Sequence, residues 1–374
     1  MATILTGKSY PFIFNTPRSN QFDTVVRSKV YSGHRFWGPL QAVSVQKRVG
    51  GPDLIHAFNS IPLDLKPYVL GFEGELPRSM SGPGRVAVRK LLRPQLLSRR
   101  CRGLFPISKF ARHLFERSAR DWPDFDQALA KCQVMYPSIP LHVTAARTLH
   151  TNPITLTFIG AEWARKGGAV CARVARLLKA AGVPFVLNVI SRMDYGIHVY
   201  TDTSAEFYAN DIAALKTEGV RLLNGLPNKQ VLEILAQSDL CLLPTLDDSF
   251  GFNIIESMSY GVPVIASGIC AIPEIIDDGV DGFLLKLPVD EGGRWQHIYT
   301  PGEQRAGADF QRKLDATYND MAAQISAIVQ RVVDGQIDYH ALSANAIKKI
   351  ETRFEANLIS EQWHQIYKRS LRAA

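Results

Sequence analysis

The chain has 374 residues, 46% hydrophobic and 21% charged, a composition that excludes a disordered polymer and exceeds what one hydrophobic core ordinarily serves, so two domains are expected. No apolar run approaches the ~20 residues of a membrane-spanning helix, and "MATILTGKSYPFIFNTPRSN" lacks the basic start, long apolar stretch and cleavage site of a secretion signal; a cytoplasmic protein is expected. The net charge of +8 is unevenly placed, residues 1–150 holding 22 Lys+Arg against 9 Asp+Glu and the remainder 21 against 26.

Such a basic front half suits an anionic partner, for instance the inner face of a membrane touched peripherally, although a solvated basic face has the same charge. Its densest stretch, "RVAVRKLLRPQLLSRRCRG" (85–103), mixes basic and apolar residues as an interfacial helix does, with Pro94 as an interruption. Aromatic residues are not interleaved there as a stacking platform for bases requires, so nucleic acid is not an expected partner. Cysteines 101, 132, 171, 241 and 270 are odd in number and lack C-x-x-C spacing; they are expected to be reduced and buried.

In chain order, residues 1–50 show no clear period and receive no element. "DLIHAF" (53–58), "PYVLGF" (67–72), "GLFPIS" (103–108) and "KCQVMYP" (131–137) read as strands of a first domain spanning 1–150, and "TLHTNPIT" near residue 150 reads as a linker. A second domain, 151–350, opens with a regular alternation of strands and helices. The strands are "ITLTFIG" (154–160), "PFVLNVI" (184–190), "VRLLN" (220–224), "DLCLLP" (239–244), "VPVIAS" (262–267) and "GFLLK" (282–286). They are apolar on both faces, as parallel strands covered by helices are, so the sheet is doubly wound and its ligands belong beyond the carboxyl ends of the strands. Residues 351–374 form a final helix expected to pack back toward the first domain.

Two segments carry chemistry. In "TLDDSFGFNIIESMSYGVPVIAS" a strand end passes through a glycine turn into a short helix, whose amide end favours a bound anion. Asp248 and Glu256 bracket that turn and suit polyol hydroxyls, while the plain alternative is a cap for Asp248 and a solvated helix position for Glu256. In "TFIGAEWARKGGAVCARVARLLKAAG" the cations Arg165 and Lys166 stand at a helix start, where the dipole disfavours them, which makes sense when an anion is shared with the backbone.

The stretch "DSFGFNIIE" resembles the E-x7-E segment of the family 4 (group 1) glycosyltransferases, with Asp248 in place of the first glutamate. "FIGAEWARKGG", "VRLLNGLPNKQVLEILAQSDLCLLPTLDDSFGF" and "IPEIIDDGVDGFLL" extend the resemblance over about residues 150–290. It implies a GT-B fold, an α/β architecture of two Rossmann-like doubly wound parallel-sheet domains facing across a cleft, the first of them reduced. It also implies a retaining transfer of a hexose-type sugar from a nucleotide-diphosphate donor, UDP- or GDP-linked, to a glycan, lipid-linked or small-molecule acceptor.

Carried over residue by residue, the resemblance implies that Lys166 and Arg165 hold the diphosphate, Glu256 the ribose and Asp248 the sugar hydroxyls. Gly160, Phe250, Gly251, Phe252, Asn253 and Ile254 line the donor, and Asn224, Gly225 and Leu226 edge the base. On the acceptor side His56, Glu73 and Ser108 are candidates, with a core histidine, a loop acid and a helix N-cap as their plain readings. Ala161 stands where the family often has arginine, and Cys270-Ala271 where it often has glycines. No Asp-x-Asp motif sits at a strand end, so neither a metal nor another cofactor is expected. The rival functions are a GT-B nucleotide-sugar epimerase and a non-catalytic nucleotide-sugar-binding subunit of a polysaccharide-assembly complex.

Overall fold

The computed structural model describes residues 1–372 except 48, 81 and 151, the last of which lies within the expected linker. The chain divides into two compact units, one formed by Met1–Pro140 together with the chain from Glu351 on, the other by Leu141–Ile350. Residues 141–150, expected in the first domain, belong to the second. Their polar groups are bonded there: His142 and Val143 donate backbone N–H groups to Ser259 O, and Arg147 donates to Ser343 Oγ and Ala236 O.

The first unit is built on five parallel strands, β1 (Thr3–Gly7), β2 (Thr24–Ser28), β3 (Leu54–Phe58), β4 (Tyr68–Phe72) and β5 (Cys101–Pro106), in the order β2-β1-β3-β4-β5. This is one of the two common doubly wound orders. β1 and β2 come from the region that sequence reading left blank, and only a one-turn helix, Phe12–Asn15, lies between them. Three short strands, Val30–Ser32, Val43–Gln46 and Ile61–Pro62, form a side sheet.

Two expectations are corrected. "KCQVMYP" is not a strand: it contributes one isolated bridge, Cys132 to Leu104, and Lys131 turns its ammonium onto the carbonyls of Leu96, Ser98 and Cys101. Pro94 does not break its helix, which runs over Arg85–Leu97 with the proline on the exposed side, at the cost of one internal hydrogen bond.

The final helix, Ala356–Arg372, buries Ile359, Trp363, Ile366 and Tyr367 against Ile4, Leu54, Val69 and Phe105 of this sheet. His56 points into that layer from the middle of β3. It is fully buried, its Nδ1 lies 2.7 Å from the Tyr367 hydroxyl, and its ring sits 4.2 Å from that of Trp363.

The second unit holds six parallel strands, β6 (Ile154–Ile159), β7 (Phe185–Ile190), β8 (Val220–Leu223), β9 (Leu240–Leu243), β10 (Val264–Ser267) and β11 (Gly282–Leu285). All six agree with those read from the sequence to within two residues at either end. Their order, β8-β7-β6-β9-β10-β11, reverses direction between β6 and β9, the switch point beyond whose carboxyl ends open sheets of this order form their ligand crevice. Helices Gly168–Ala180 and Ala308–Val333 pack on each other and bury Val170, Val174, Leu314, Met321 and Ile325 in one core with β6 and β7.

Burial, and secondarily the charge of Arg27, pushes the His56 imidazole down from 6.5 to about 3. Unfolding returns it to its ordinary value, so the unfolded chain binds the extra proton between those limits; the stabilisation is complete above pH 6.5 and is lost as pH falls toward 3. Urea unfolding at pH 7 and pH 5 should therefore show a loss of stability on acidification that is smaller in His56→Asn than in the wild type. Parallel losses in the two proteins would refute it.

Candidate functional site

The crevice between β6 and β9 is shaped by two glycines. Gly167 has φ +93°, and a Cβ there would lie 2.0 Å from the carbonyl oxygen of Pro244, so only glycine lets the loop after β6 reach the loop after β9. Gly251, with φ +86°, turns the second loop into the helix Phe252–Ser259. The loops are then stitched together: Arg165 O accepts from Leu246 N at 3.1 Å and from Thr245 Oγ1 at 3.0 Å, and Arg165 Nη1 donates to Asp247 O at 2.8 Å. Asn253, at the helix start, donates from Nδ2 to Ile159 O at 3.4 Å.

Across this junction Lys166 Nζ meets Asp248 Oδ2 at 2.5 Å, with both side chains less than a fifth exposed. The other carboxylate oxygen of Asp248 accepts the N–H groups of Phe250 and Gly251 at 3.3 and 3.1 Å. Burial alone would raise the Asp248 carboxyl, but the charge and hydrogen bond of Lys166 outweigh it, and Arg165 adds to them, so it is held below the usual carboxylate range. Asp248 thus combines its plain role of organising the turn with a direct grip on the Lys166 ammonium. Arg165 is paired with Glu162.

The helix Phe252–Ser259 points its N-terminal end, where the dipole and amide groups favour anions, at the same junction. Over residues 251–260 the half-buried positions are Asn253, Glu256 and Tyr260, which share one face, so Glu256 lies on the open side of this helix. Phe250, Gly251, Phe252 and Ile254 are buried beneath it. Gly160 closes β6 by donating its N–H to Ile190 O, and a Cβ on it would meet the Lys166 side chain at 2.6 Å. Asn224, Gly225 and Leu226 follow the edge strand β8, two strands from β6, or ~10 Å along the sheet, with Gly225 at φ +67°.

The candidates of the first unit are not brought into such a cluster. His56 lies in the core described above. Ser108 caps its helix, accepting from Ala111 N at 2.9 Å, and is fully buried. Glu73 directly follows β4 and stays at the carboxyl ends of the strands, where its carboxylate accepts from Asn59 and Arg78 and its N–H donates to Asn59 Oδ1.

Sequence reading missed Asp247, Arg294 and the thiol of Cys270 as a group. Arg294 Nη1 lies 3.6 Å and Cys270 Sγ 3.7 Å from Asp247 Oδ1, next to Asp248. Burial raises the Asp247 carboxyl, against the opposing charges of Arg294 and Arg165. Nothing in the spacing signals this, since Arg294 arrives from a segment without apolar period. Among the described residues there is no group of three His, Cys, Asp or Glu placed to hold a metal ion, and no helix is long and apolar enough to cross a membrane.

Residues 153–291 match the family described as glycosyl transferases group 1. An uncharacterized 41.2 kDa protein in the cps region of Klebsiella pneumoniae is 31% identical over 117 residues, 30% of this chain and 32% of that protein. The amylovoran biosynthesis glycosyltransferase AmsK of Erwinia amylovora is 24% identical over 224 residues, 58% of this chain and 45% of that one. The chain therefore spans 32% and 45% of the length of these two curated relatives.

Among solved structures, Anabaena Alr3699/HepE in complex with UDP superimposes with TM-score 0.58 at 13% identity, covering 98% of this chain and 100% of that one. Sucrose-phosphate synthase from Thermosynechococcus elongatus gives TM-score 0.59 at 14% identity, covering 100% and 89%. The fold is GT-B, as in these structures, and residues 153–291, which carry both loops of the crevice, are the part of the chain that matches the group 1 glycosyl transferases.

Proposed function

We propose that the chain is a retaining, metal-independent transferase of family 4 type that moves a hexose-type sugar from a UDP- or GDP-linked donor to a glycan, lipid-linked or small-molecule acceptor. The observation that supports it most is the Lys166–Asp248 pair at the switch point, beside the amide end of a helix. Its ammonium is placed for an anionic leaving group and its carboxylate for a polyol.

On donor binding Lys166 leaves Asp248 for the diphosphate, with Arg165 beside it and the helix dipole behind it. Asp248 Oδ2, released, accepts a sugar hydroxyl while Oδ1 keeps the turn in place. Glu256 takes the ribose hydroxyls and Asn224–Leu226 the base. As the glycosidic bond breaks, negative charge grows on the diphosphate, and cations fixed in advance stabilise it without reorganisation. The acceptor hydroxyl approaches the same face of the sugar, its oxygen bonding to the anomeric carbon as its proton passes to the departing diphosphate oxygen, which retains configuration without a protein nucleophile.

Loss of one such contact typically costs about 100-fold or more in rate. Lys166→Ala should accordingly lower turnover of donor by at least that factor with the fold intact, as judged by its circular dichroism, and wild-type turnover should persist in chelator. Unimpaired turnover in the variant would reject the assignment of Lys166, and a chelator-dependent loss restored by magnesium or manganese would reject metal independence. Tight donor binding without any transfer or hydrolysis in the wild type would instead identify a non-catalytic subunit.

The same reading includes a peripheral contact with an anionic membrane. Residues 76–115 hold ten Lys+Arg and no Asp or Glu, and the exposed apolar side chains Phe36, Val86 and Leu91 lie in the same unit. Co-sedimentation with phosphatidylglycerol vesicles, weakened by salt and absent with phosphatidylcholine, is expected; equal recovery with both lipids would contradict it.

A further inference from the structure

Between β11 and the helix Ala308–Val333 the chain runs from Lys286 to Gly307 with a single 3-10 turn, a connection longer than the ~12–15 residues beyond which an irregular loop in a compact domain is usually functional. This loop is anchored and aimed. Trp295 and Ile298 are buried in the core of the second unit, so the segment is not a surface appendage. Ahead of them Asp290 builds a tight turn, its Oδ1 accepting from Gly292 N and Arg294 N, both at 2.9 Å. At the tip of that turn Gly293 O accepts Cys270 N at 2.7 Å, which fastens the loop to the carboxyl end of the sheet beside the crevice.

The fastening presents Arg294 to Asp247. The guanidinium lies 3.6 Å from Asp247 Oδ1, both side chains less than a fifth exposed, and the Cys270 thiol lies against the same carboxylate oxygen. Burying a charge pair is costly unless its partners are well placed, so a loop that carries an arginine into this position does more than fill space.

Three cations at the crevice each face an acid, and Glu256 adds a further carboxylate on the open side of the helix. Arg165 faces Glu162, Lys166 faces Asp248, and Arg294 faces Asp247. On the donor-site reading, a diphosphate held by Lys166 and Arg165 would set its sugar beside Asp248, whose neighbour in the chain is Asp247 of the Asp247–Arg294 pair. That surroundings offers carboxylate acceptors and a guanidinium fork to neutral hydroxyls. A sugar bearing its own carboxylate would meet two acids with one cation already engaged, and like-charge juxtaposition disfavours binding.

We propose that Asp247, held by Arg294 on the 286–307 loop, is a specificity-determining residue that accepts hydroxyls of an uncharged hexose and excludes glycuronosyl donors. The assignment rests on the donor-site reading above and names the substrate class of that site.

Calorimetric titration tests it with matched ligands: UDP, UDP-glucose and UDP-glucuronate, and GDP, GDP-mannose and GDP-mannuronate. With the nucleotide series that binds, the wild type should prefer the neutral sugar over its uronate by at least about tenfold, a modest demand on a like-charge clash. Asp247→Asn should shrink that ratio severalfold while leaving affinity for the bare nucleoside diphosphate unchanged. Arg294→Ala should weaken the neutral-sugar nucleotide but not the bare diphosphate, and Arg294→Lys should restore part of the loss.

Equal affinity of the wild type for neutral and uronate donors overturns the proposal, as does an Asp247→Asn variant whose ratio stays at the wild-type value. A change that is as large for the bare diphosphate also overturns it, since it marks Asp247 as a scaffold residue. These outcomes leave the donor site standing, whereas failure of both UDP and GDP to bind the wild type removes the donor site and this proposal with it.

Discussion

The second unit is organised around one close approach, that of the backbone at Gly167 to the carbonyl of Pro244. With any side chain at Gly167 the loops after β6 and β9 would be forced apart, Leu246 and Thr245 would lose the carbonyl of Arg165, and Lys166 would be carried away from Asp248. Strand order creates the crevice, but this contact decides what faces into it. The Lys166–Asp248 pair follows from it, while Gly251 and the Asp248 carboxylate shape the turn into the Phe252–Ser259 helix.

Electrostatics gives the arrangement its chemical sense. Three ion pairs stand close together, partly shielded from water. Unpaired, such buried cations would destabilise the unit, since desolvation without compensation is expensive. Paired with short acidic side chains, they remain available to an anion that offers more. On the proposed reading the acids hold the cations in place before the donor arrives and turn to the sugar afterwards.

Much of this was legible in the sequence, for reasons that differ by element. β6, β7, β9 and β10 announce themselves because strands covered on both faces are largely apolar and here recur at regular spacing between helical segments. The two loops of the crevice were visible because glycines and cations at a helix start contradict ordinary helix preferences and so call for another cause. β1 and β2 were invisible: "TILTG" and "TVVRS" are short and mix polar with apolar residues, and their strand character comes from pairing with each other and with β3. "KCQVMYP" erred the other way, an apolar segment whose backbone serves to catch Leu104 and Pro106 instead of forming a ladder. Arg294 lay out of reach because its place depends on a tertiary fastening, Gly293 to Cys270, that no local pattern encodes. His56 stood open in the sequence between an acceptor-side residue and a core histidine, and the packing of Trp363 and Tyr367 from the final helix makes it a core residue.

The account stands or falls on where a nucleoside diphosphate sits. A crystal structure of the protein soaked with UDP or GDP should show the terminal phosphate between the Lys166 ammonium and the start of the Phe252–Ser259 helix, with Lys166 withdrawn from Asp248 Oδ2 and Asp248 Oδ1 still on the Gly251 amide. A nucleotide bound elsewhere on the second unit, or bound here with the Lys166–Asp248 contact unbroken, would contradict it.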